Sequence, residues 1–121
     1  MTTRRKFGHE ERLQIYNKYG GKCAYCGCKL DYEEMTIDHI LPIYRGGTNY
    51  PANLNPCCKS CNRYKSSNTV EEFRKKVGYI LNRLNKDNST YKVAKKYNLI
   101  EEYNHEIKFY YEEFRENEID K

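Results

Sequence analysis

Apolar and polar positions follow two different periods along this chain. From His9 to Tyr19, the residues Leu13, Ile15, Tyr16 and Tyr19 recur at helical intervals and Gly20-Gly21 closes the run, which predicts a short helix. Cys23 to Cys28, around Gly27, reads as a tight turn. Met35 to Ile40 (Met-Thr-Ile-Asp-His-Ile) is rich in β-formers and predicts a strand. Pro42 and Gly46-Gly47 predict a loop, Asn53-Leu54 a second short strand, and a helix is expected from near Ser60 past Lys65. From Thr69 the period is helical. Thr69-Val70-Glu71-Glu72 has the pattern of a capping box, and Val70, Phe73, Val77, Ile80, Leu81 and Leu84 follow on one face. Asn85 to Ser89 interrupts that helix, and Leu99, Tyr103, Ile107, Tyr110 and Phe114 predict another. Such stripes are core-facing in the first instance. The expected class is α+β: a small core with an N-terminal helix over residues 1–68, then a helical C-terminal extension over residues 69–121.

Composition changes this picture in one respect. Of 121 residues, 38% are hydrophobic and 32% charged, and the mean hydropathy is −1.05. A core that thin calls for a staple. Six cysteines are present, all before residue 68. No run of 18 apolar residues exists, which excludes a transmembrane helix. The opening Met-Thr-Thr-Arg-Arg-Lys-Phe-Gly-His-Glu lacks the apolar stretch of a secretory signal. A cytoplasmic location is therefore expected, where paired cysteines are more often metal ligands than disulfides. Charge is uneven. Residues 1–68 carry 11 Lys/Arg against 6 Asp/Glu, residues 69–100 carry 8 against 3, and residues 101–121 carry 3 against 8. The basic body suggests a polyanionic partner, with DNA foremost.

Cys23-x-x-Cys26 and Cys58-x-x-Cys61 are two matched thiolate pairs. Two intervening residues let both sulfurs of a pair reach one tetrahedral ion, and two pairs complete a structural zinc site. The alternative is buried or disulfide-linked cysteines. Cys28 and Cys57 are left over; they read as spectators, or as replacements for a neighbouring ligand. Thirty-one residues separate Cys26 from Cys58, more than a compact zinc ribbon needs, and the interval contains Asp38-His39.

Taken in order, Cys-Ala-Tyr-Cys-Gly, Ile-Asp-His-Ile-Leu-Pro, Gly-Gly-Thr-Asn, Asn-Leu and Cys-Lys-Ser-Cys-Asn-Arg-Tyr-Lys resemble the HNH endonucleases with a zinc-stapled ββα-metal core, of phage or mobile-element type. The match spans about residues 22–66. The resemblance implies cleavage of DNA with a divalent ion, magnesium or another. It makes His39 the general base, Asp38 and Asn62 the ligands of that ion, and Asn53 the residue that orients the loop and hence the histidine. Asn62 stands where the commonest pattern has His; this H-N-N variant also occurs in the HNH domain of CRISPR effector nucleases. A neutral amide oxygen is a hard ligand suited to magnesium, so the departure bears on metal preference.

The chemistry of the residues agrees. Phosphodiester hydrolysis to 5′-phosphate and 3′-hydroxyl ends needs an activated water and a counter-charge for the transition state, and a histidine can accept the water's proton. Neighbouring strand residues face opposite ways, so Asp38 and His39 can share a site only if the strand ends or bulges there. Asn53 has the alternative of a turn residue and Asn62 that of a helix cap. Arg45, Lys59, Arg63 and Lys65 flank the site as candidate nucleic-acid contacts. Arg74, Lys75, Lys76, Arg83, Lys92, Lys95 and Lys96 form a second basic group along the extension. His9 and His105 read as solvated. Two other readings stay open: a non-catalytic zinc module that binds DNA or a protein partner, for which the C-terminal helices offer a surface, and an RNA-binding zinc knuckle.

Overall fold

The computed structural model describes residues 6–119, with side chains through Phe114. Met1–Arg5 and the last two residues of the acidic tail lie outside the described residues. Helix α1 (His9–Asn17) starts on Glu10 and Glu11, whose charges suit a helix N-terminus, and ends before Gly20 and Gly21, both at positive φ. Strands β1 (Thr36–His39) and β2 (Leu54–Cys57) pair antiparallel, with Thr36 opposite Cys57, Asp38 opposite Asn55 and His39 opposite Leu54. Two four-residue strands are not stable alone. This pair is held between α1 and helix α2 (Lys59–Lys65). The class is α+β, as expected.

The extension is helical but more broken than its apolar pattern predicts. The single stripe from Val70 to Leu84 splits into α3 (Val70–Gly78) and α4 (Ile80–Asp87) at Tyr79. The capping box forms: Glu72 N–H donates to Thr69 Oγ1 at 3.2 Å, and Thr69 N–H to Glu72 Oε1 at 2.9 Å. Asn88 caps α5 (Ser89–Lys96) by accepting from Tyr91 N–H at 2.9 Å.

The helix expected through Leu99, Tyr103 and Ile107 does not form. Asn98 at φ 58° closes α5, and residues 98–109 run without helix until α6 (Tyr110–Ile119). Leu99 and Tyr103 are 75% and 71% exposed, so their four-residue spacing is not a core stripe. Side-chain clasps hold the run instead. Glu102 accepts from Asn85, Tyr91 and Lys95, and Arg74 donates to Ile107 O and to both carboxylate oxygens of Glu112. His105 lies in this run, exposed, and His9 starts α1 and contacts the Tyr32 hydroxyl at 2.9 Å.

The buried cluster crosses the compositional boundary at residue 68. Ile15, Tyr19, Tyr25 and Leu54 come from before it, Phe73 and Phe109 from after it. Phe73 stacks on Phe109 at 5.0 Å between centroids, and Tyr25 meets both edge-on. Each such aromatic pair adds about 0.5–1.5 kcal/mol beyond its burial.

Candidate active site and metal centre

The thiols come first, because they place everything else. Cys23 and Cys26 lie on the turn before β1; Cys58 and Cys61 open α2. The four sulfurs all lie within 4.8 Å of one another, and Cys26 Sγ is 3.9 Å from Cys58 Sγ. Four sulfurs about 2.3 Å from one tetrahedral ion would stand about 3.8 Å apart. The donor set and its spacing fit zinc. Cys58 is also the N-cap of α2, its sulfur accepting from Cys61 N–H at 3.5 Å. Cys57 is buried in β2 and Cys28 is exposed on the turn; neither belongs to the cluster. The turn is fastened to the sheet by Ala24 N–H on Pro56 O at 2.9 Å. It also packs on α6, where a side chain at Gly27 would meet the Tyr110 ring at 2.9 Å.

A cleft of about 520 Å³ lies over the end of β1 and the flank of α2, lined by Asp38, His39, Tyr44, Asn62 and Arg63 among others. Asp38 and His39 are the last two residues of β1, and both line the cleft.

Asp38 is almost enclosed at 3% exposure. Tyr25 OH donates to its Oδ2 at 2.5 Å. The Lys65 ammonium stands 3.3 Å from Oδ1 and 3.2 Å from Oδ2, and also donates to His39 O at 3.1 Å and Ile40 O at 3.2 Å. Burial pushes the Asp38 carboxyl above its ordinary value, against the pull of Lys65 and the hydrogen bond from Tyr25. Burial, and then the Asp38 charge, push the Tyr25 phenol up as well, so it stays a donor. A carboxylate offers about four lone-pair directions, so Tyr25 and Lys65 do not exhaust its capacity as an acceptor.

Lys65 is therefore a correction to the sequence reading. It is 0% exposed and faces Asp38, so it is not a nucleic-acid contact on the surface. Among the other three candidates, Arg45 is paired with Glu72, Lys59 is paired with Glu34 at 2.8 Å, and Arg63 lines the cleft. Asn62 is not a cap, since Cys58 caps α2 and Asn62 lies inside the helix.

Asn53 does more than make a turn. Its side chain accepts from Leu41 N–H at 2.9 Å and donates to Leu41 O at 3.0 Å and Thr48 O at 2.9 Å, drawing the two ends of the loop together. Gly47 fits because it has no side chain: a Cβ there would come within 1.7 Å of Leu41 O. Four polar residues around the site carry no role in the sequence reading. Asn49 meets His39 Nε2 at 2.8 Å. Asn55 accepts from Tyr19 OH at 3.1 Å and donates to Tyr25 OH at 3.4 Å. Tyr25 and Tyr19 complete that buried chain. Tyr25 and Asn49 stand inside the motifs Cys-Ala-Tyr-Cys-Gly and Gly-Gly-Thr-Asn, and the inward turn of Lys65 has a signal in its place four residues after Cys61, on the same face of a short helix.

The HNH endonuclease family profile matches residues 23–77. Over that segment the chain is similar to the HNH endonucleases. Relatives of the HNH segment include the CRISPR-associated endonuclease Cas9 of Actinomyces naeslundii, 35% identical over 55% of this chain and 6% of that protein. The Septu protein PtuB of Bacillus thuringiensis is 36% identical over 46% of this chain and 23% of that protein. Among solved structures, the Type II-C Cas9 enzyme from Actinomyces naeslundii superimposes with a TM-score of 0.53 at 30% identity, covering 62% of this chain and 9% of that one. The chain thus spans less than a quarter of these relatives. No described helix is long and apolar enough to cross a membrane.

Proposed function

We propose that this chain is a divalent-metal-dependent DNA endonuclease whose reaction centre is the cleft over β1 and α2. The observation that carries the reading is the convergence of Asp38, His39 and Asn62 on one cleft from two different elements. A module that only bound DNA would need none of the three there.

The residues divide the work. His39 accepts the proton of the attacking water, a contribution of about 10²–10⁴-fold. Asp38 and Asn62 would hold the divalent ion, magnesium or another; when bound, it supplies positive charge against that developing on the phosphate and the leaving 3′ oxygen. Tyr25 and Lys65 keep the Asp38 carboxylate in one orientation. Arg63, on the rim, binds a flanking phosphate. Water attacks phosphorus and the 3′ oxygen leaves, so the products carry 5′-phosphate and 3′-hydroxyl ends. The cysteine cluster holds structural zinc, which fixes the start of α2 and so the position of Asn62. A second reading, a zinc-stabilised binding module without catalysis, draws on the two donors already seated on Asp38.

Nicking of supercoiled plasmid with and without magnesium separates the two. The nuclease reading expects magnesium-dependent nicks that fall by about 10²–10⁴-fold in His39→Ala, with folding and DNA binding kept. Binding without nicking in every divalent metal tried refutes it.

A further inference from the structure

We infer that Asn49 is a positioning residue for His39, holding the imidazole as its Nε2–H tautomer and so leaving Nδ1 as the nitrogen with the free lone pair. The inference rests on the nuclease reading for its consequence, but not for its geometry.

The contact joins His39 Nε2 to Asn49 Oδ1 at 2.8 Å. In this orientation of the amide its oxygen faces the ring, and an amide oxygen only accepts, so Nε2 carries the hydrogen. A neutral imidazole has one N–H, and its other nitrogen is then the proton acceptor. His39 is 6% exposed, so few waters compete for the ring. Phe7 stands beside it, ring centroids 6.3 Å apart.

The loop delivers Asn49 to this place. Ile40 N–H donates to Asn53 O at 2.9 Å, which continues the sheet one step past His39. The Asn53 side chain then closes Leu41 onto Thr48. Gly47 N–H donates to Pro42 O at 2.9 Å inside the closed loop. Thr48 is thereby anchored beside the strand end, and the residue that follows it is Asn49. The influence of Asn53 on the histidine thus passes through two steps: Asn53 holds the Thr48 carbonyl, and Asn49 holds the ring. A neutral amide suits the second step. It selects a tautomer without adding a charge beside Asp38.

The test uses the full chain labelled with ¹⁵N at histidine. The sequence has three histidines, and the His39 signal is the one lost in His39→Ala. Long-range ¹H–¹⁵N correlation at pH 8 reports the tautomer of each ring. We expect the parent His39 to be in the Nε2–H form, and Asn49→Leu, close in volume but without the acceptor, to become a mixture. Asn49→Asp, which keeps an acceptor oxygen, restores the Nε2–H form. In the nicking assay Asn49→Leu lowers kcat about 10–10²-fold with KM unchanged, less than loss of the base itself. An Nδ1–H parent overturns the inference without any variant. So does an Asn49→Leu protein that keeps the parent tautomer and the parent kcat. If the parent cleaves nothing yet shows the Nε2–H form lost in Asn49→Leu, the contact stands and the nuclease reading fails.

Discussion

The two halves of this molecule solve the burial of polar groups in opposite ways. Around β1, β2 and α2, charges and amides go inside: Asp38, Lys65, His39 and Asn55 are all buried, and no buried side-chain nitrogen or oxygen among the described residues lacks a partner. In the extension the charged groups stay near the surface and lace elements together. Arg74 joins α3 to α6, and Lys95 and Glu102 join α5 to the run beyond it. Buried networks fix one arrangement and are costly to damage, whereas surface pairs cost little. The network thus lies around the β1–α2 cleft, and the clasps lie in the helices beyond it.

The sharpest way to break the comparison is at the sulfurs. Cys58→Ser removes one thiolate and weakens the cap of α2 together. We expect loss of bound zinc by elemental analysis and unfolding of the first half, since a closed zinc site contributes folding energy directly. Cys28→Ser changes neither. Folded Cys58→Ser protein that retains its metal would show that the cluster is not what holds the first half.

Next in size is Lys65→Met, which leaves the Asp38 carboxylate buried without its counter-charge. Breaking one side of such a pair costs about 3–5 kcal/mol, to be read from urea unfolding. A loss below about 1 kcal/mol would place Lys65 with the surface pairs.

Arg74→Ala tests the clasp side. It removes the bidentate bond to Glu112, the bond to Ile107 O and the contact of the guanidinium over the Phe109 ring at 4.9 Å. Arg74 remains partly exposed, so the expected loss is about 1–2 kcal/mol. It should appear first as faster hydrogen exchange in α6, with the β1–β2 amides unchanged.

The smallest effect is a pH dependence at Glu102. Hydrogen bonds from Tyr91, Asn85 and Lys95 pull its carboxyl from an ordinary 4.5 down to about 2. A carboxyl lowered in the folded state stabilises it above its ordinary value, and that help is lost as pH falls from about 4.5 through about 2. Protection of the amides at the α4–α5 junction, taken relative to the intrinsic exchange rate at each pH, should fall over that window in the parent and fall less in Glu102→Gln.

Much of the first half is legible in the sequence because its signals are covalent in spacing. Cysteine pairs, the glycines of the loop and β-formers around Asp38-His39 each constrain geometry within a few residues. The capping box at Thr69 is legible for the same reason. Lys65 is misplaced because a lysine beside a site is ordinarily solvated, and its spacing from Cys61 marks a helix face without showing the buried Asp38 that the lysine meets there. Asn49 is visible in the Gly-Gly-Thr-Asn motif but its role is not, because its partner lies ten residues away across a loop whose closure depends on Asn53. Leu99 and Tyr103 mislead because a four-residue interval is shared by helices and by chance. What straightens the chain there is one left-handed residue, Asn98, and a set of side-chain clasps that no periodicity encodes. Tyr25 and Phe109 show the same limit in the core, where isolated aromatics with no stripe of their own meet.

The enclosure of Lys65 also makes it an internal gauge of opening. Amine-reactive reagents modify an ammonium only after it has lost a proton and met solvent, and a side chain with no exposed surface meets solvent only when α2 lifts from the sheet. The lysines on the outside will be acylated at once, and Lys65 at a rate set by how often that seam parts. Mass spectrometry of the peptide holding Lys65, followed over time, converts a single residue into a clock for the motion of the helix that carries Asn62.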